Sequence, residues 1–171
     1  MKCDACAKER EFGTALCRGC LTKVVEKRAR KELGRARIAK GAKIAIVNDG
    51  SCQGAVNEFI ARKLITIAKL TVLKKAPQQG HGLILLPDTA DTEAQRFLEA
   101  MLGRKSRAIV PSGAKLLRDS LGSEVRVYAA IKRIKYKASE KKTDVAELIG
   151  KLEEKYRGTT FSLAKSARQL E

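Results

Sequence analysis

Four cysteines within the first 20 residues, arranged as Cys3-x-x-Cys6, ten intervening residues and Cys17-x-x-Cys20, constrain this chain more than any other feature. Each short spacing lets two sulfurs converge from one tight turn, and two such knuckles supply four thiolates that close tetrahedrally on Zn²⁺. With every position filled by protein, the ion has no open site for water, so it folds the segment instead of catalysing. Disulfides fit poorly with a reducing compartment, and a redox CxxC needs no second copy so near. An iron–sulfur cluster is a less common occupant of this arrangement. The expectation is structural zinc on Cys3, Cys6, Cys17 and Cys20.

The chain of 171 residues is enough for one ordinary α/β domain, and a hydrophobic fraction of 44% supplies a core. No apolar run approaches the roughly 18 residues that span a bilayer. Met1-Lys2-Cys3-Asp4 does not lead into a signal-peptide stretch, so a cytoplasmic location without membrane contact is expected. Charge points to the partner: 36 Lys and Arg stand against 19 Asp and Glu, a formal charge of +17. Cations that neutralise phosphates release condensed counterions, which favours a nucleic acid. RNA and DNA are both open at this point, and two basic groups are the candidate contacts, the RNA-binding residues if the partner is RNA. The first follows the cysteines: a helix expected over 21–33, with Leu21, Val24, Val25 and Leu33 near one apolar stripe, presents Lys27, Arg28, Arg30 and Lys31. Arg35, Arg37, Lys40 and Lys43 continue that run. The second group is Lys132, Arg133, Lys135, Lys137, Lys141 and Lys142.

Between these groups the pattern is α/β. Ile44-Ala45-Ile46-Val47 is a continuous apolar run of the buried parallel-strand type, Asn48-Asp49-Gly50-Ser51 is a turn, and residues 53–64 have helical spacing. Strands are expected over 66–73, 82–86 and 107–110. Helices are expected over 91–102, with Met101 and Leu102 facing in, over 113–121 as a short segment, and over 124–134. A helix over 144–156 starts with Asp144 as an acidic N-cap, and a final one covers 161–170. That order predicts an open, mostly parallel sheet covered on both faces. Its ligands would sit at the carboxyl ends of the strands, near 48–53 and 88–93.

Several of these pieces, in order, resemble the tRNA 2-thiouridine synthetases of the PP-loop ATP pyrophosphatase superfamily, the TtuA-type enzymes and the cytoplasmic tRNA thiolation subunits. They are the double knuckle with Ala15-Leu16-Cys17-Arg18-Gly19-Cys20 and the basic Val25-Glu26-Lys27-Arg28 helix. They continue with Asp91-Thr92-Glu93-Ala94-Gln95, Glu124-Val125 with Tyr128-Ala129, and Leu152-Glu153-Glu154-Lys155-Tyr156 followed by Gly158-Thr159 and Phe161-Ser162-Leu163. The resemblance implies an α/β, PP-loop-like (adenine nucleotide alpha hydrolase-like) sheet over 43–171. A zinc module over 1–22 and a basic helix and linker over 23–42 would precede it.

The departures bear on activity. Where the family carries Ser-Gly-Gly-x-Asp-Ser, this chain has Asn48-Asp49-Gly50-Ser51-Cys52-Gln53, with one Gly and a carboxylate beside the place a phosphate would approach. The family's His-Asn before the acidic motif reads Asp88-Thr89. The body has one cysteine, Cys52, which cannot supply three ligands, so no iron–sulfur cluster is expected there, and Cys52 reads as a small buried residue. His81 reads as a loop residue. The resemblance therefore implies a degenerate, tRNA-binding subunit with no catalytic residue of its own. Its partner would be a catalytic PP-loop paralogue or a second copy, with a ubiquitin-like sulfur carrier as a further partner. ATP is disfavoured at Asn48, Asp49, Gly50, Ser51 and Asp91. Two alternatives remain: an active ATP-dependent sulfurtransferase in which Asp49, Ser51 and Asp91 handle Mg²⁺–ATP, and a zinc-containing nucleic-acid-binding protein unrelated to thiolation.

Overall fold

A computed structural model describes residues 2–11, 14–77, 82–103, 113–137 and 143–169. A short hairpin, β1 (Lys2–Cys3) and β2 (Cys6–Glu9), opens the chain and leads to α1 (Arg18–Ala36). Then come β3 (Lys43–Val47), α2 (Cys52–Leu64), β4 (Lys69–Leu73), β5 (Leu83–Leu86) and α3 (Ala90–Met101). The chain closes with β6 (Ala114–Lys115), α4 (Gly122–Lys132), α5 (Asp144–Lys155) and α6 (Thr159–Gln169). The sheet has the order β4-β3-β5-β6, and every ladder in it is parallel. None of these helices is long and apolar enough to cross a membrane.

β3 occupies the inside of this sheet, paired to β4 and β5, and Ile44, Ala45, Ile46 and Val47 are all buried. A strand covered on both faces needs a continuous apolar run, and this one has it. The chain leaves β3 toward β4 on one side and returns to β5 on the other. That switch opens a crevice at the carboxyl ends of β3 and β5, where the 48–51 turn lies. Asn57, fully buried on α2, ties the two strand ends together by donating to Leu85 O at 3.1 Å and Val47 O at 3.4 Å.

α1 starts earlier and ends later than its apolar spacing suggests. Its first turn is pinned inside the cysteine module, with Cys17 as N-cap residue and Cys20 in the first turn. Leu21, Val25 and Ala29, at i, i+4 and i+8, are the fully buried stripe, with Val24 and Leu33 at its half-buried margins. Leu21, Val25, Ala29 and Leu33 join β3, α2, β5 and α4 in the main core, with Leu116, Leu117 and Tyr128. A second, smaller core of Ala94, Val145 and Ile149 holds α3, α5 and α6 together.

Three expectations are corrected. Residues 113–121 form no helix: Gly113 passes so close to β5 that a Cβ there would lie 2.6 Å from Ile84 O. Ala114 and Lys115 then pair with Leu85 and Leu86 before the chain turns. α5 is capped by Thr143, whose Oγ1 accepts from Ala146 N at 3.2 Å, so Asp144 is the first helical residue. Met101 and Leu102 face outward, 69% and 51% exposed, because α3 ends there against no other element among the described residues. The strand expected over 107–110 and His81 lie outside the described residues.

Candidate metal centre and nucleic-acid interface

The β1–β2 hairpin aligns Cys3 with Cys6 across the ladder, and Asp4 N donates to Ala15 O at 3.1 Å, folding the second knuckle back over the first. The four sulfurs lie within 4.8 Å of one another, with Cys6 Sγ 3.5 Å from Cys17 Sγ and 3.6 Å from Cys20 Sγ. None of them is in a disulfide. Zinc–sulfur bonds of about 2.3 Å in a tetrahedron separate their sulfurs by about 3.8 Å, so the donor set fits one such ion. The thiols are electrostatically unequal. Burial pushes Cys3 up, but backbone N–H groups of Cys17, Ala5 and Cys6 outweigh it and hold the thiol at about 6. Hydrogen bonding with Cys6 and then Cys17, with burial behind them, pushes Cys20 up to about 12. Four thiolates in one small volume repel one another, and a dication relieves that repulsion.

The turn at the crevice is closed by its own side chains. Asn48 Oδ1 accepts from Gly50 N at 3.0 Å, Asp49 Oδ1 from Ser51 N at 3.0 Å, and Ser51 Oγ from Gly54 N at 3.0 Å, the last capping α2. Asn48 Nδ2 donates to Glu58 at 2.7 Å. Gly50 takes the left-handed region, φ +89°, and Gly54 is packed so tightly that a Cβ would sit 2.7 Å from Asp49 Oδ1. Asp91 joins this region: its Oδ2 accepts from Gly122 N, and a Cβ on Gly122 would meet both Asp91 Oδ2, at 3.4 Å, and Gln53 Nε2, at 3.9 Å. The structure thus brings the 48–51 turn, Asp91 and the first turn of α4 together. Burial outweighs the Gly122 N–H and raises the Asp91 carboxyl above its ordinary value.

The 91–95 segment is a junction for helices. Asp91 holds α4, and Gln95 donates to Thr143 Oγ1 at 3.0 Å, reaching the cap of α5. Glu93, 4% exposed, gathers Lys115 at 2.9 Å, Arg118 at 2.7 Å and Arg168 of α6 at 3.0 Å. The sequence draws attention to Glu93 through its motif, but its three partners lie 22, 25 and 75 residues away and carry no local signal.

The basic residues divide into two kinds. Arg28 bonds Glu124 at 2.6 Å and lies over the Phe161 ring, Arg30 reaches Glu26 at 3.5 Å, and Arg35 pairs with Glu32. Lys132 lies 4.0 Å from Glu26 and over the Tyr128 ring. Glu26, buried, also takes Lys63 at 2.6 Å and the Tyr128 hydroxyl at 3.0 Å. Burial, with Glu26 beside it, raises that phenol well above its ordinary value. Arg28 and Lys132 hold α1 and α4 together, whereas Arg30 and Arg35 pair within α1. By contrast Lys27, Lys31, Arg37, Lys40, Lys43, Arg133, Lys135 and Lys137 are exposed and form no ion pair among the described residues. Arg18 donates to Ile131 O at 3.3 Å, which sets the end of α4, and Arg133 with it, beside the start of α1 and the cysteines. Lys141 and Lys142 lie outside the described residues.

No protein-family model matches this chain, and no curated protein matches it in sequence. A solved structure does match. The U34-tRNA thiolase NcsA from Methanococcus maripaludis, with its [4Fe-4S] cluster, superposes with a TM-score of 0.78, covering 99% of this chain and 87% of that chain. The fold is shared with a tRNA thiolase. Sequence identity is 14%, so the likeness is one of architecture: an α/β, parallel-sheeted body flanked by helices, here with a cysteine cluster at its N-terminus.

Proposed function

We propose that this protein is a tRNA-binding, non-catalytic subunit of a cytoplasmic tRNA 2-thiolation system. It would work beside a catalytic PP-loop paralogue, or as a homodimer, with a ubiquitin-like sulfur carrier delivering sulfur. The observation that carries this reading is the 48–51 turn. Its Gly50, Ser51 and Gly54 N–H groups are already answered by Asn48, Asp49 and Ser51, so a triphosphate would have to displace three internal bonds and meet a carboxylate. Sulfur transfer has equally little to work with, since the one cysteine of the body, Cys52, is 3% exposed.

The module over 1–22 holds a structural Zn²⁺ in this reading. The sulfur spacing supports a single ion, because a four-iron cube interposes its own iron and sulfide between the cysteines and spreads them further. The 23–42 segment and the end of α4 carry the RNA contacts, and 43–171 is the scaffold. Such contacts position RNA through phosphates, leaving selection to shape or to the partner subunit. The test is a tRNA titration of protein carrying K27E, K31E and R133E, three exposed positions with no structural ion pair. Loss of tRNA affinity with an unchanged melting temperature is expected. Unchanged affinity contradicts the interface, and ATP-dependent pyrophosphate release with tRNA contradicts the non-catalytic assignment.

A further inference from the structure

We infer that Lys74 and Lys75, together with Lys135 and Lys137 of the second basic group, form a lysine rim around the turn that takes the phosphate backbone of single-stranded RNA across the carboxyl ends of the strands. This inference rests on the tRNA-binding reading and adds a second contact surface to it. Two backbone bonds build the rim. Asn48 N donates to Leu73 O at 2.8 Å, which puts Lys74 and Lys75 beside the first residue of the turn. Lys137 N donates to Gly50 O at 2.9 Å, which lays the 134–137 strap against its third residue. The stem of Lys137 crosses Gly50 itself: a Cβ built there would lie 3.7 Å from Lys137 Cδ.

All four lysines are exposed, and none forms an ion pair among the described residues. The carboxylate they surround, Asp49, turns Oδ1 inward to the Ser51 N–H. Four ammonium groups with flexible stems suit a chain of successive phosphates better than one compact anion, since each acts as a point charge without a fixed fork. The Gly50, Ser51 and Gly54 N–H groups are already bonded to side chains of the turn, and the lysines offer the phosphate-facing charge.

The test is fluorescence anisotropy with a 12-nucleotide single-stranded RNA and with an unmodified tRNA transcript, across a salt series, on the metal-loaded full chain. The variants are K74Q/K75Q, K135Q/K137Q and the fourfold combination. Each lysine removed should lower the magnitude of the salt slope by about 0.7 on the single strand, and the fourfold variant should bind at least about tenfold more weakly near physiological salt. The melting temperature should not move. Wild-type binding to tRNA that is unchanged in the fourfold variant overturns the rim and leaves the tRNA reading standing. Rim-dependent binding to the 12-mer without any to tRNA keeps the rim and overturns the tRNA reading, and no binding to either RNA overturns both. Unchanged RNA binding with lost binding of poly-glutamate assigns the lysines to an acidic protein and overturns the rim as an RNA site.

Discussion

The cysteine cluster and the 48–51 turn are both built from polar groups packed into a small volume, and they solve that problem in opposite ways. In the cluster, four sulfurs converge on one point with like character, and their mutual repulsion calls for a cation from outside. In the turn, a side-chain oxygen of each of Asn48, Asp49 and Ser51 accepts from a backbone N–H two or three residues on. A site that binds keeps its polar groups aimed at an absent atom. A turn that folds without a ligand uses them up. The same fold therefore carries one cluster of four cysteines that could hold a metal ion and one turn whose side-chain oxygens are bonded internally.

The largest effect is expected where the demand is unmet. Cys17→Ser should abolish retention of the metal after dialysis, read as metal per chain by emission spectroscopy. Amide exchange should accelerate through β1 and β2 while the α/β body keeps its protection. On the self-satisfied side, Glu93→Ala removes the buried carboxylate that Lys115, Arg118 and Arg168 share and should cost about 3 kcal/mol in urea unfolding. Ser51→Ala removes the α2 cap and should cost about 1 kcal/mol, again by urea.

Asp91 gives a pH-dependent test. Its folded-state carboxyl is raised above the ordinary 3.8, so its contribution to stability is present below that value and lost as pH rises through the folded one. Asp91→Asn keeps an acceptor for Gly122 N and should gain on the wild type as pH rises above 3.8, measured as paired melting curves. Asp49→Asn is the smallest change: an exposed residue whose loss should move stability by less than about 0.5 kcal/mol and should not create ATP binding.

Much of this molecule was legible in local pattern. The CxxC pairs set the cysteine cluster because their geometry is confined to one turn each, and Ile44-Ala45-Ile46-Val47 announced a buried parallel strand because both its faces need apolar residues. The turn was legible as a departure from the pattern of the family that the sequence resembles, since Asp49 puts a carboxylate into it. That Asn48, Asp49 and Ser51 each bond within the turn needed coordinates. Long-range pairing was hidden. Nothing local marks Arg28 and Lys132 as joining helices, because Glu124 and Glu26 meet them only after folding, whereas the Arg30–Glu26 and Arg35–Glu32 pairs lie at helical spacing within α1. The 113–121 segment failed as a helix for the same reason: only the approach to Ile84 shows why Gly113 is a glycine.

Calorimetric titration of the metal-loaded protein, first with Mg²⁺–ATP and then with tRNA on the same sample, tests the account most directly. The account predicts no heat of binding with ATP and tRNA affinity that falls steeply with salt. Saturable ATP binding would contradict it and would mean that the bonds of Asn48, Asp49 and Ser51 open to admit a nucleotide.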